Sequence, residues 1–292
     1  MSYSQPITID SILNNLIRIS KGTLTNQHRS EIEKRLASHL DYTPRIAIFG
    51  KTGAGKSSTL NAIFGQTLSA VSDVEACTRQ ILSYQIKTPR GHITLLDCPG
   101  VAESSSRDKE YAKMYRDLLT GQDGQDGVDF ILWVLKGDDR AFSADLEFYQ
   151  RMIRPAMDQS IPILFVLNQV DKIEPFREWN EATCEPGPRQ QQTIDAKQTY
   201  VSQCFSIPRS LVVPISAVES YRLGTLMYEI VSRLKDSRTK INISSGLNEQ
   251  HKNQEVYEEE KNAWWNVLEE VICAIPVVKT IWKGIKSLFK FW

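Results

Sequence analysis

The chain has 292 residues, of which 41% are hydrophobic, 24% charged and 9% aromatic, the proportions of a folded protein and not of a disordered, collagenous or low-complexity one. Lys plus Arg and Asp plus Glu number 35 each, so the formal net charge is zero and the positive excess that drives non-specific nucleic-acid binding is missing. The five cysteines are scattered and form no C-x-x-C pair, which argues against a disulfide scaffold or structural zinc and for a reducing compartment.

Met1 to Asp10 shows no basic stretch leading into an apolar run, so no secretory signal is expected and a cytoplasmic location is. From residue 7 to 41 apolar residues recur at three and four: Ile9, Ile12, Leu13, Leu16 and Ile17, then Ile32, Leu36 and Leu40. That spacing predicts two short helices broken near Gly22. From Arg45 onward short apolar runs alternate with helical stretches: Ile46 to Phe49, Ile81 to Ile86, Ile93 to Leu96, Phe130 to Leu135, Ile163 to Leu167 and Leu211 to Ile215. Such alternation predicts an α/β fold with a mostly parallel six-stranded sheet covered on both faces. The second and third runs flank Thr88-Pro89-Arg90-Gly91 and read as a hairpin, which places one antiparallel strand at a sheet edge.

Near Asp236 the alternation stops. Four segments are therefore expected: an N-terminal helical extension (1–44), the α/β domain (45–235), a polar linker (236–254) containing Ser244-Ser245-Gly246, and a helical tail (255–292). The tail begins acidic, with Glu255, Glu258, Glu259, Glu260, Glu269 and Glu270, whereas residues 271–292 hold no acid and four lysines.

The first strand runs directly into Gly50-Lys51-Thr52-Gly53-Ala54-Gly55-Lys56-Ser57, a G-x-x-x-x-G-K-S pattern, and then into a helix. A curled loop of this kind brings backbone N–H groups together around phosphate oxygens, and its glycines let the backbone approach closely. Gly50, Gly53, Ala54, Gly55, Lys56, Ser57 and Ser58 are the candidate phosphate contacts. The Lys56 ammonium suits the β and γ phosphates, the Ser57 hydroxyl suits Mg²⁺, and the helix that follows points its positive end at the anion. After the hairpin comes Asp97-Cys98-Pro99-Gly100, where Asp97 can hold a water on Mg²⁺ and the Gly100 amide can meet a γ-phosphate. The strand Ile163 to Leu167 ends in Asn168-Gln169-Val170-Asp171. A carboxylate there accepts from the ring N–H and exocyclic amine of guanine, groups that adenine does not present in that pattern. Ser216-Ala217 closes the set, with a backbone amide for the guanine O6.

In this order the motifs resemble the G1 to G5 series of the Era-like branch of the translation-factor-related (TRAFAC) P-loop GTPases, and within it the bacterial YfjP/YeeP group. The resemblance covers about residues 45 to 235. It implies GTP and GDP as ligands, Mg²⁺ as cofactor and GTP hydrolysis, with Lys56, Thr78 and Gly100 as catalytic groups and Ser57, Thr78 and water-bridged Asp97 around the metal. Cys77-Thr78-Arg79 matches the second and third positions of the Thr-Thr-Arg switch element of the family; Thr67 and Ser72 are alternatives. Three departures qualify the transfer. Gln169 stands where the family has a lysine whose stem lies along the base, Val101 where some members place a water-orienting glutamine, and Gly53 where potassium-stimulated members have asparagine. Turnover is accordingly expected to be slow, on the order of 10⁻⁴ to 10⁻² s⁻¹, and to rise with an activating protein or self-association. Arg79, Arg107 and Arg140 are candidate charge stabilisers.

In the tail, Val278, Ile281, Trp282, Ile285, Leu288, Phe289 and Trp292 recur at three and four, with Lys279, Lys283, Lys286 and Lys290 between them. Two readings stay open. The stripe packs on the N-terminal helices, or residues 271–292 lie on an anionic membrane surface. No nucleic-acid partner is expected. The rival functional readings are a non-catalytic nucleotide-gated binding module and an adenine-nucleotide enzyme, the latter disfavoured by Asn168 to Asp171.

Overall fold

The computed structural model describes residues 7–66, 81–98, 108–121, 126–157 and 160–289. Among them the elements are α1 (Ile9–Ser20), α2 (Asn26–Leu40), β1 (Arg45–Phe49), α3 (Lys56–Phe64), β2 (Leu82–Thr88), β3 (Gly91–Asp97), α4 (Asp108–Thr120), β4 (Phe130–Lys136), α5 (Ser143–Phe148), β5 (Ile163–Asn168), α6 (Pro188–Phe205), β6 (Val212–Pro214), α7 (Leu223–Arg233), α8 (Ser237–Gly246), α9 (Gln254–Cys273) and α10 (Pro276–Ile285). The six strands form one sheet in the order β2-β3-β1-β4-β5-β6. Only β2 runs antiparallel to its neighbour, through the hairpin that Pro89-Arg90-Gly91 turns. The expected α/β architecture and edge strand are thus present.

The strands are apolar throughout because both faces of the sheet are covered. Successive side chains of a strand point to opposite faces, so each strand contributes to two separate cores. Ile46, Ile48, Phe130, Leu132, Val134, Leu164 and Val166 face α3 and α7, whereas Ala47, Phe49, Ile131, Trp133, Leu135, Phe165 and Leu167 face the opposite side. The register Ile46↔Phe130 through Phe49↔Trp133 leaves β4 running on to Lys136 past the end of β1, so the loop after β1 starts alongside β4.

A third core lies outside the sheet. It joins α1 and α2 to the C-terminal helices through Ile12, Leu16, Leu36, Trp264, Leu268, Val278 and Trp282, all nearly or fully buried. Trp265, Trp282 and Phe289 pack ring to ring at 5.5 to 6.1 Å. Val278, Trp282 and Phe289 of the tail stripe therefore pack into this helical core, whereas Leu288 is exposed and Trp292 lies outside the described residues. Helix α9 stops before Pro276, which occupies the first turn of α10, where its missing N–H does no harm.

Within the segment expected as a polar linker (236–254), Ser237–Gly246 forms the largely buried helix α8. Asp236 caps α8 by accepting from the Thr239 N–H and hydroxyl, both at 2.8 Å. Ile243 of α8 enters the sheet core while Ile241 enters the helical core, so α8 joins the two. Asn242, buried on α8, donates to the carbonyls of Leu40 (3.1 Å) and Tyr42 (2.9 Å).

Between α8 and α9 sits a buried charge group. The Lys252 ammonium lies 2.6 Å from Glu249 and 3.7 Å from Glu260, and its side chain is 2% exposed. Burial pushes the Glu260 carboxyl up, opposed by Lys252 and Arg90. Lys252→Met is expected to lower the unfolding free energy by about 3 kcal/mol, because it strips a buried carboxylate of its partner. The sign of the pH effect follows from the raised folded-state pKa. Between the unfolded and folded values the folded protein holds more protons, so acidification favours it. The penalty should accordingly be smaller at about pH 5 than at about pH 8, as urea titrations of the two proteins would measure.

Candidate functional site

The sheet order places the loops after β1, β3, β4, β5 and β6 at one end of the sheet, where the strand carboxyl ends open a crevice. Gly50 to Gly55 curls between β1 and α3. At Gly50, φ is +138° and a Cβ would stand 2.2 Å from the Val134 carbonyl oxygen, so only glycine lets the loop lie against β4. At Gly55, φ is +90° and a Cβ would stand 2.2 Å from the Asn168 Nδ2. The missing side chain there admits Asn168.

That admission organises the site. Asn168, 1% exposed at the end of β5, donates from Nδ2 to the Ala54 carbonyl (3.0 Å) and accepts at Oδ1 from the Ala217 N–H (3.1 Å). One amide thus joins the glycine loop to the loop after β6. Gln169, in the left-handed region at φ +65°, donates from Nε2 to the Gly53 carbonyl (2.8 Å) and accepts from Lys172 Nζ (3.1 Å). Ser216 is buried, and its Oγ accepts from the Glu219 N–H at 3.2 Å.

Helix α3 begins at Gly55 without a side-chain cap, leaving its first N–H groups to an anion. Ser57 and Ser58 are exposed in that first turn. Lys56 Nζ donates to the Gly50 carbonyl at 2.9 Å and lies 3.6 Å from Asp97 Oδ1. Burial pushes the Asp97 carboxyl up, with Lys56 pulling it the other way. Asp97 Oδ1 is buried without a hydrogen-bond partner. The unpartnered Asp97 oxygen and the exposed Ser57 hydroxyl are oxygen donors of the kind that a hard cation such as Mg²⁺ takes.

The structure therefore places Gly50, Gly53, Ala54, Gly55, Lys56, Ser57, Ser58, Asp97, Asn168, Gln169, Asp171, Ser216 and Ala217 at the same end of the sheet, on strand ends, the first turn of α3 and the loops between them. Thr78 and Gly100, with Thr67, Ser72, Cys77, Arg79, Val101 and Arg107, lie outside the described residues. Arg140 is exposed on the loop after β4.

Two supports were invisible to sequence reading. Lys51 Nζ lies 3.4 Å from both Asp139 and Asp145, and Asp145, 1% exposed, accepts from the Trp133 indole at 3.3 Å. Burial pushes the Asp145 carboxyl up, and Lys51 restrains it. This pins the start of the loop to the segment after β4. Gln190, fully buried on α6, donates from Nε2 to the carbonyls of Asp171 (3.0 Å) and Ile173 (2.9 Å) and so fixes the Asp171 turn. A lone acid in a helix first turn and a lone Gln after Pro188 carry no motif that would have singled them out.

Asn168→Ala removes two buried hydrogen bonds and leaves the Ala54 oxygen and the Ala217 N–H unpaired. It is expected to destabilise the protein by about 2 kcal/mol or more in denaturant titrations and to weaken ligand binding at the glycine loop.

Residues 45–169 match the family described as 50S ribosome-binding GTPase, MMR_HSR1. YkfA of Escherichia coli (strain K12) is 46% identical over 135 residues, covering 46% of this chain and 44% of its own length. YfjP of the same organism is 43% identical over 164 residues, covering 56% of this chain and 53% of its own. GTPase Era of Aquifex aeolicus (strain VF5) is 27% identical over 192 residues, covering 65% of this chain and 56% of its own. The chain spans about half the length of the curated relatives it matches. Over residues 45–169 the chain is thus similar to the GTPase family MMR_HSR1, and in sequence it is similar to YkfA, YfjP and Era.

Proposed function

We propose that this chain is a guanine-nucleotide switch that binds GTP and GDP, hydrolyses GTP slowly with Mg²⁺, and reports its nucleotide state to a partner. The observation that carries the reading is the Asn168 clamp, which holds the glycine loop and the Ala217 amide at fixed separation, as a triphosphate and its purine require. Lys56 rests on a backbone carbonyl and one carboxylate, so it is free to turn to β and γ phosphate oxygens. Ser57 and Asp97 would hold the Mg²⁺, Asp97 through water; when bound, the ion supplies charge neutralisation on the phosphates. Thr78 and Gly100 complete the γ-phosphate contacts in this reading, and Asp171 accepts from the guanine edge.

Val101, an apolar side chain that cannot orient water, favours a second reading in which the domain holds GTP or GDP without turnover and serves as a gated binding module. Ribosome binding, which the family description names, belongs to that family; the balance of 35 basic and 35 acidic residues supports a reading without nucleic acid here. Among the described residues no helix is long and apolar enough to cross a membrane. A peripheral contact through 271–292 has to use the outer face of α10, with exposed Val277, Lys279 and Lys283, because Val278 and Trp282 are buried.

Phosphate release from GTP by the full chain with Mg²⁺ separates the two readings. Hydrolysis predicts release that falls to background in Lys56→Ala; the gated module predicts none in either protein. Asp171→Asn is expected to weaken GDP binding by about 100-fold or more, since two hydrogen bonds to a charged acceptor are lost at roughly 1.5 to 3 kcal/mol each. Calorimetry with GDP reads this directly. If charge on α10 draws the chain to anionic vesicles, Lys279→Glu with Lys283→Glu should abolish co-sedimentation.

A further inference from the structure

A purine site needs acceptors at the ring edge and cover on the ring face. Asp171 supplies the edge. The family lysine whose stem would lie along the base is Gln169 here, and its amide is already committed to the Gly53 carbonyl at 2.8 Å and to Lys172 at 3.1 Å. Its stem is one carbon shorter than a lysine's and covers less of the ring face, which leaves part of that cover to another residue.

Beside Asp171 opens a cavity of about 630 Å³, lined also by Phe176, Arg177, Trp179, Glu181 and Glu219. Phe176 is 49% exposed, one of only a few large apolar side chains left in water among the described residues. Its position is firmly held. The turn Phe176–Glu178 is tied down by the Glu178 carboxylate, which accepts from the N–H groups of Arg189 (3.0 Å) and Gln190 (3.3 Å). Gly187 N–H donates to the Glu178 carbonyl at 2.9 Å, and a Cβ at Gly187 would meet that oxygen at the same distance. Trp179 stands edge-on to Tyr221 at 5.5 Å, and the Tyr221 hydroxyl donates to Gln191. Gln190 ties this segment to the Asp171 turn through the carbonyls of Asp171 and Ile173. An apolar ring on a rigid support, sharing a cavity with the edge-reading carboxylate, is a preorganised stacking surface.

We propose that Phe176 is the residue that covers the face of the bound purine, taking over the part that the lysine stem at position 169 plays in the family. The proposal rests on the guanine-nucleotide reading and deepens it. Phe176 contributes affinity, whereas Asp171 contributes the choice of base, so the two roles separate by experiment.

Calorimetry of the full chain with GDP, IDP and inorganic tripolyphosphate provides the test. IDP lacks the exocyclic amine that Asp171 reads, and tripolyphosphate carries no base. Phe176→Ala is expected to weaken GDP and IDP alike, by about tenfold or more for the loss of one base–aromatic stack. The GDP-to-IDP ratio and tripolyphosphate binding should be unchanged, and Phe176→Tyr should bind as the native chain does. Equal GDP affinity in the native chain and Phe176→Ala overturns the proposal and leaves the guanine reading intact. A parallel loss of tripolyphosphate binding also overturns it, because the ring would then merely support the fold. Absence of GDP binding to the native chain instead overturns the guanine reading itself.

Discussion

Asn168 is a buried side-chain amide whose two ends are used by two loops that are far apart in sequence: Ala54 after β1 and Ala217 after β6. A primary amide in the interior is unfavourable unless both its donor and its acceptor are met. Here meeting them is what sets the distance between the phosphate cradle and the base loop. Gly55 is part of the same device, since any side chain at that position would occupy the space of the Asn168 Nδ2. Gln169 adds a second tie from the same strand end to Gly53, so β5 holds the loop at two successive residues. The glycine loop is thus tied to the end of β5 at Gly53 and Ala54, which lowers the ordering cost of any ligand that binds there.

The same end of the sheet is connected to the helical core by the β2–β3 hairpin. Its strand β3 ends at Asp97, and its turn carries Arg90, whose guanidinium lies 4.3 Å over the Trp264 ring and donates to the Ile7 carbonyl at 2.9 Å. Helix α8 packs against the turn so closely that a Cβ on Gly246 would stand 2.8 Å from both Thr88 and Ile93. The hairpin is thus a braced rod with Asp97 at one end and the N- and C-terminal helices at the other.

How much of this could be read in the residues depends on whether the relevant physics is local. The glycine loop is legible because a phosphate cradle requires glycines at fixed spacing between a strand and a helix, and Gly50 to Ser57 supplies both pattern and context. The hairpin is legible because Pro89-Arg90-Gly91 can only turn. Helix α8 was illegible: Thr239, Asn242 and Ser244 look like solvent-facing linker residues, yet all three are buried, and two of them owe this to bonds that cap α8 itself or satisfy Leu40 and Tyr42, some 200 residues away in sequence. Gln190 and Asp145 were missed for the same reason, since their partners are brought to them by the fold. The tail stripe was legible as amphipathic but not as to what covers it. Period identifies a face and says nothing of its occupant.

Two lysines of the cradle show how burial sorts charge between structure and function. Lys51 faces two carboxylates at 3.4 Å, one of them 1% exposed. Moving it would leave Asp145 buried and unpaired, a loss of several kcal/mol, so Lys51 is fixed to the fold. Lys56 faces a backbone carbonyl and a single carboxylate at 3.6 Å. Turning Lys56 toward an anion uncovers Asp97, whose carboxyl burial already pushes up and whose Oδ1 has no hydrogen-bond partner. That movement becomes favourable when a cation takes the place of the ammonium beside Asp97. On the proposed reading, phosphate engagement by Lys56 and cation capture at Asp97 would reinforce each other, because each would remove the electrostatic penalty that the other incurs alone.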